Sequence, residues 1–125
     1  EFARGLLFCG AGRGIHIAAS KCPLVHAAVC ESLPAALRCA TANNCNVMAM
    51  GAIFVAPRLG MAMADAFLDH AFGEGYEDWE GFDEYHQVGY EETEVFDYEA
   101  YKANGFRLED ETVPPLAPWP KGLAF

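Results

Sequence analysis

The chain has few basic residues, no long hydrophobic run and no paired cysteine spacing. Its 125 residues include 8 lysines or arginines against 18 aspartates or glutamates. The resulting net charge of −10 argues against nucleic-acid binding, which needs a basic surface. No apolar stretch approaches the roughly 20 residues that span a bilayer, so no membrane helix is expected. The opening residues 1–4 have no basic region of the kind that begins a leader peptide, so none is expected. The odd number of cysteines, five, predicts reduced thiols in a cytoplasmic protein, and their lack of C-x-x-C pairs argues against a zinc site. No cofactor is expected.

Charge and residue types divide the chain into two regions. Residues 1–72 carry four acids and five bases, whereas residues 73–125 carry fourteen acids and three bases. All five cysteines lie in the first region and all five tyrosines in the second. We therefore predict a folded domain over 1–72 and an acidic, aromatic-rich C-terminal arm over 73–125. The arm is either a solvated extension or packs its aromatics on its own domain or a neighbouring subunit, and the aromatic content favours packing.

Short apolar runs alternate with helical segments along the first region. Strands are predicted over 5–9, 25–30 and 47–50, and helices over 15–21, 33–41 and 57–71. This alternation indicates right-handed βαβ units and a doubly wound, Rossmann-like parallel sheet with three αβα layers. Because three strands make a thin sheet for this class, we expect further βα units upstream in the complete protein. One helix, over 95–104, is predicted in the arm.

A glycine-rich turn follows the first predicted strand. Cys9 ends that strand, and the turn Gly10–Gly14 leads into a helix. Open α/β sheets bind ligands at such strand ends, where backbone N–H groups attract anions. The same field lowers the pKa of a thiol, so Cys9 is a candidate base or nucleophile. A dinucleotide site fits poorly because the third glycine comes one residue early, although Glu31 lies near the position of a ribose-binding acid.

Four ordered motifs characterise residues 5–72. They are a strand ending in Cys-Gly-x-Gly-x-Gly, then Ile-Ala-Ala-x-Lys, an Ala-Ala-Val-Cys strand, and Asn-x-x-Asn-Val-x-Ala-x-Gly. Together they resemble the ribose-5-phosphate isomerase B and galactose-6-phosphate isomerase family. The resemblance implies an enzyme of carbohydrate metabolism, of the kind found in the pentose phosphate pathway. It would interconvert aldose and ketose forms of a ribose-5-phosphate-like sugar phosphate through a cis-enediolate.

The resemblance also implies roles for particular residues. Cys9 would be the catalytic base that moves a proton between C1 and C2, while loop amides stabilise the enediolate oxyanion. Asn43 matches a substrate-binding asparagine that a partner subunit supplies in the family's dimer, so a homodimer or homotetramer is expected. The substrate-binding loop would consist of Gly10, Ala11, Gly12, Arg13 and Gly14.

Several positions depart from the family's pattern. Ala11 replaces a hydroxyl residue that assists proton transfer, Ala42 a histidine linked to ring opening, and Ile53 an arginine that often follows the Ala-x-Gly strand. A phosphate-binding Gly-Gly-Arg-His sequence is Gly-Glu-Gly-Tyr here, at 73–76. These departures keep open an alternative: a non-catalytic or divergent member whose loop binds a small anionic metabolite and whose arm mediates oligomer assembly.

Two residues near the turn are local candidates to replace the missing groups. Arg13 could clamp an anion with two hydrogen bonds, or it is a solvated loop arginine. His16, one turn into the predicted helix, is either a ligand-facing side chain or, as is more common, a packed or surface histidine.

Overall fold

The structure, a computed structural model, describes residues 4–108 and 116–118. It divides into two compact units with a boundary between Gly75 and Tyr76, whereas composition alone drew the boundary after Phe72. The stretches of the predicted arm at 109–115 and 119–125 lie outside the described residues. None of the helices within the described ranges is long and apolar enough to cross a membrane.

The first unit alternates three strands with three helices. In chain order they are β1 Gly5–Cys9, α1 Arg13–Ala19, β2 Ala27–Val29, α2 Leu33–Thr41, β3 Val47–Gly51 and α3 Pro57–Asp69. The strands form one parallel sheet in the order β1-β3-β2, in which Val47 pairs with both Gly5 and Ala27. The prediction of a parallel α/β sheet with flanking helices is therefore confirmed.

Several element boundaries differ from the sequence prediction by one to two residues. Helix α1 begins two residues early because Gly12, at φ 76°, takes the left-handed conformation that positions the chain to enter the helix. Strand β2 is shorter than predicted at both ends, and Leu24, three residues before it, has φ 61°, so the chain turns there. Helix α3 ends at Asp69 because His70 is already extended.

Helix α2 illustrates how local sequence signals set an element. The Ser32 hydroxyl accepts a hydrogen bond from the Ala35 N–H at 3.3 Å, and Pro34 occupies the first turn, where its missing N–H is harmless. Such a cap contributes about 1 kcal/mol. After the helix, Asn44 takes a left-handed conformation at φ 49°, which turns the chain toward β3.

The core of the first unit surrounds β3, whose five residues are all buried. Met48 and Met50 pack in one cluster with α2 and α3, which also contact each other. Because side chains alternate along a strand, Val47 and Ala49 face the opposite side, where α1 contacts the sheet. Helix α3 contributes the predicted stripe of Leu59, Met63 and Phe67, whose last two side chains are fully buried.

The second unit contains two helices, α4 Phe82–Glu94 and α5 Tyr98–Ala103. Asp97 accepts hydrogen bonds from the N–H groups of the first turn of α5, which therefore begins three residues later than the predicted helix over 95–104. Helix α4 was not predicted, because Phe82 is its only buried residue and no apolar stripe marks it. The rings of Tyr76 and Phe82 stack at 3.8 Å, and the Trp79 indole donates to the Ala117 carbonyl at 2.7 Å.

Candidate active site

The glycine-rich loop is fixed to the chain that follows β3. The Ala52 N–H donates to the Cys9 carbonyl at 3.0 Å, and the Ile53 N–H donates to the Gly10 carbonyl at 2.9 Å. Cys9 itself pairs with Gly51 at the carboxyl edge of the sheet. The loop is thus held on a rigid element, as a binding site for a developing charge requires.

Two glycines allow the loop to lie directly on the end of β3. A Cβ atom on Gly51 would stand 2.5 Å from the carbonyl carbon of Ala11 and 2.7 Å from its oxygen. A Cβ on Gly12 would stand 3.0 Å from the Gly51 nitrogen, and Gly12 also has a positive φ. Sequence reasoning predicted the importance of Gly12 but not that of Gly51. The only signal for Gly51 was its place as the last glycine of the Asn-x-x-Asn-Val-x-Ala-x-Gly motif.

Backbone amides surround the thiol of Cys9. The Gly12 N–H donates to the sulfur at 3.0 Å. The Ile15 N–H contributes most to lowering the pKa of Cys9 below its ordinary value, and the N–H groups of Gly12, Ala11 and Gly14 act in the same direction against partial burial. Gly14 and Ile15 are available as donors because the first N–H groups of a helix have no partner within it, while Ala11 and Gly12 belong to the loop before the helix. These hydrogen bonds stabilise negative charge on the sulfur and so favour its thiolate form.

Arg13 lies at the loop but already has partners. Its guanidinium donates to the Glu31 carboxylate at 2.7 Å and to the Ala11 carbonyl at 3.1 Å, and it lies 4.9 Å from the centroid of the Phe54 ring. The Arg13 and Glu31 side chains are about half exposed, so the pair can exchange with an incoming anion at small cost. Glu31, the acid that a dinucleotide site would use for ribose, is engaged in this ion pair.

His16 bridges two elements instead of facing the loop. Its Nε2 lies 3.0 Å from the carbonyl oxygen of Ala27, so that nitrogen carries the proton and donates it. The contact ties α1 to β2. This placement matches the packed-histidine interpretation, because the ring hydrogen-bonds to the backbone of a neighbouring strand.

Asn43 stands apart from the other predicted site residues. It is exposed in the turn between α2 and β3, at the amino end of β3, whereas the loop lies at the carboxyl end. A single chain of this topology therefore does not bring Asn43 to Cys9. In the same turn, Asn46 accepts a hydrogen bond from the His26 N–H at 2.9 Å and donates to the Leu24 carbonyl at 2.7 Å. Asn46 thus fixes the turn to the segment before β2, a role that the sequence analysis missed.

The other positions that depart from the family's pattern, 42, 53 and 73–76, have the following surroundings in the structure. Ala42 is the C-cap residue that follows α2, and its N–H donates to the Arg38 carbonyl at 2.8 Å. Ile53 is 74% exposed and lies beside Gly10. Glu74, in the segment that replaces the family's phosphate-binding sequence, accepts a hydrogen bond from the Ala71 N–H at 2.9 Å. Within the described ranges, no three His, Cys, Asp or Glu side chains converge as metal ligands.

Comparison with known proteins identifies the family. A model of the family described as Ribose/Galactose Isomerase matches residues 1–81. The chain belongs to the ribose/galactose isomerase family. The resemblance inferred from the motifs of residues 5–72 is thereby confirmed.

Individual relatives show how much of the family's length this chain covers. It is 44% identical to the 4-deoxy-4-sulfo-D-erythrose isomerase of a Clostridium species (strain MSTE9). The 79 aligned residues are 63% of this chain and 50% of that protein. It is 39% identical over 72 residues to the D-erythrulose-4-phosphate isomerase of Pectobacterium atrosepticum, covering 58% and 47%. The solved ribose-5-phosphate isomerase B of Clostridium thermocellum superposes with a TM-score of 0.62 at 30% identity, covering 81% of this chain and 60% of that one. The chain spans about half the length of the curated relatives it matches.

Proposed function

We propose that this protein is an aldose–ketose isomerase in which Cys9 is the catalytic base and the loop amides stabilise an enediolate. The observation that carries the proposal is the set of backbone N–H groups directed at one sulfur, of which Gly12 lies at 3.0 Å. A general base must be deprotonated before it can act, and these donors favour the thiolate form of Cys9. Membership of an isomerase family supports the reaction class.

The proposed reaction uses the same donors for two successive charges. The Cys9 thiolate takes the proton from C2 of the aldose, the C–H electron pair forms the C1–C2 double bond, and the carbonyl electrons move to O1. Cys9 is then a neutral thiol and a weaker hydrogen-bond acceptor. The N–H groups of Gly12 and Gly14 can therefore donate to the negatively charged oxygen of the enediolate. Solvent then protonates O1 and removes the proton from O2. The O2 electrons form the C2 carbonyl, and the electron pair of the C1–C2 double bond takes the proton back from Cys9 at C1, which gives the ketose and regenerates the thiolate. Ala11 supplies no hydroxyl, so solvent or the substrate's own hydroxyls carry the oxygen-bound proton.

The substrate we propose is a four-carbon sugar with a phosphate or sulfonate at C4. Such a sugar has no free hydroxyl that can close a five-membered ring, so it reaches the site in its open form. Ribose 5-phosphate, in contrast, closes through O4 and must be opened. The resemblance places a ring-opening histidine at the position of Ala42, and two relatives are named as isomerases of four-carbon sugars with an anion at C4. An open-chain substrate explains why alanine suffices there.

The test compares initial rates on erythrose 4-phosphate and ribose 5-phosphate for the parent protein and the Ala42→His variant. We expect faster turnover of the four-carbon sugar by the parent, and a gain confined to ribose 5-phosphate in the variant. If the parent protein turns over ribose 5-phosphate faster, the proposed substrate class is wrong, while the proposed isomerase activity stands. Binding of both sugar phosphates by calorimetry without turnover or exchange of the C2 proton with solvent would support the alternative, a non-catalytic anion-binding member.

A further inference from the structure

Three of the five cysteines meet inside the first unit, away from the glycine-rich loop. Cys39, on α2, lies with Cys30 in the buried core cluster, and Cys45 packs against that cluster. The Cys39 thiol donates to the Ala36 carbonyl at 3.2 Å. Cys30 and Cys39 are buried at 2% and 6% exposure, whereas Cys45 is half-buried in the turn before β3. All three are free thiols. Neither the family's loop nor the proposed reaction uses them.

The backbone holds Cys39 and Cys45 close enough for a covalent bond. The Cys45 N–H donates to the Cys39 carbonyl oxygen at 2.8 Å. With standard backbone dimensions, this contact limits the separation of the two Cα atoms to about 6.7 Å. Disulfides span Cα separations of about 4.4–6.8 Å, so the backbone separation of this pair is compatible with a disulfide.

The two thiols differ in the way that a reacting and a resolving cysteine differ. Cys45 is the most accessible of the three. The neighbouring Cys39 side chain lowers the pKa of Cys45, against the effect of burial. The two neighbouring thiols, with burial, raise the pKa of Cys39. An oxidant from solvent therefore meets Cys45 first and in its more nucleophilic state, because reactivity follows thiolate character and exposure.

We propose that Cys45 and Cys39 form an oxidation site for hydroperoxides, with Cys45 as the reacting and Cys39 as the resolving thiol. The Cys45 sulfur attacks a peroxide oxygen, the O–O bond breaks, and Cys45 becomes a sulfenic acid while one water molecule leaves from hydrogen peroxide. The Cys39 sulfur then attacks the Cys45 sulfur, and the hydroxyl leaves as a second water molecule. The two thiols lose two electrons and two protons, which hydrogen peroxide accepts.

The disulfide would tie the turn before β3 to the last turns of α2. That turn carries Asn43, and Asn46 already fixes it to the segment before β2. Any effect on turnover through Asn43 rests on the proposed function, whereas formation of the disulfide does not. The test therefore reads the covalent state of the sulfurs directly.

Trypsin cleaves after arginine and lysine, and the positions of these residues place the possible disulfide pairs in different peptides. Cys39 and Cys45 share the peptide 39–58, Cys22 and Cys30 share 22–38, and Cys9 lies in 5–13 or a longer fragment. After treatment of the native protein with hydrogen peroxide and alkylation of remaining thiols, we expect peptide 39–58 to lose two hydrogen atoms and take up no alkylating reagent. The Cys22→Ser control should behave like the parent.

Two variants separate the roles of the two thiols. In Cys39→Ser, the Cys45 sulfenic acid should persist and be trapped by dimedone, while in Cys45→Ser the Cys39 thiol should remain alkylatable. Thermal melts of both variants establish that they are folded before oxidation. In the Cys22→Ser variant, a peptide 22–38 crosslinked to 39–58 would assign the reaction to Cys30. Full alkylation of 39–58 after peroxide treatment would show that the site does not react. Either result overturns the proposal.

Discussion

Replacing Gly51 by alanine should distort the glycine-rich loop without removing any functional group. The new Cβ would lie 2.5 Å from the carbonyl carbon of Ala11, whereas carbon atoms in good contact are about 3.5 Å apart. Strand β3 is buried and paired on both edges, so the loop must yield by roughly 1 Å. Overpacking of this kind costs about 1–3 kcal/mol of stability. A displacement of about 1 Å in a positioned site also costs on the order of 10²-fold in rate.

The assay combines a thermal melt with turnover of the proposed four-carbon substrate, and Gly60→Ala serves as the matched control. Gly60 lies inside α3, where a Cβ would make an ordinary 3.5 Å contact with Val55, so alanine should raise stability by up to about 1 kcal/mol. For a domain of this size, each kcal/mol corresponds to about 4–8 °C in Tm. If Gly51→Ala melts and turns over like the parent, the loop does not rest on β3 as described and the argument for its rigidity fails.

Three further predictions concern the side chains around the loop. The Cys9 thiol should react with iodoacetamide at lower pH than the exposed Cys22, and turnover should rise as pH rises through the lowered pKa of Cys9. The Cys9→Ala variant should lose about 10²- to 10⁴-fold in rate. Equal reactivity of the two thiols would refute the role of Cys9 as the base. Glu31→Gln should lower KM for an anionic substrate by freeing Arg13, and Arg13→Gln should raise it; an unchanged KM in both would leave the pair structural. Mixing inactive Cys9→Ala and Asn43→Ala variants should restore up to about a quarter of parent activity if two subunits share each site, and no recovery after re-equilibration would contradict sharing.

Much of the first unit could be predicted because short-range signals agree with the fold there. Ser32 and Pro34 mark the start of α2, and the spacing of Met63 and Phe67 marks the buried face of α3. The apolar run ending at Cys9 marks a buried strand. Each of these signals acts within a few residues along the chain, so no knowledge of distant contacts is needed to read it.

What could not be predicted depends on pairs that are distant in sequence or on weak periodicity. The clash that requires Gly51 involves Ala11, forty residues earlier, and the partner of Arg13 is Glu31 on another segment. Asn46 looked like a turn residue, but its side chain binds backbone atoms of the segment that includes Leu24 and His26. Helix α4 was not predicted because most of its positions are exposed and many are acidic, so it shows no clear apolar stripe. Residue type alone does not specify such partners.

The direction of the strands constrains how Asn43 can take part in catalysis. In a parallel sheet all carboxyl ends meet at one edge, which here carries Cys9 and the loop, and the turn with Asn43 precedes β3 at the opposite edge. No side-chain rotation bridges a five-residue strand, which is about 17 Å long. If Asn43 binds substrate next to Cys9, it must come from a second copy of the chain. The topology therefore links two separate proposals: a role for Asn43 in substrate binding requires an oligomer, and a strictly monomeric active enzyme would limit the site to the loop and its neighbours.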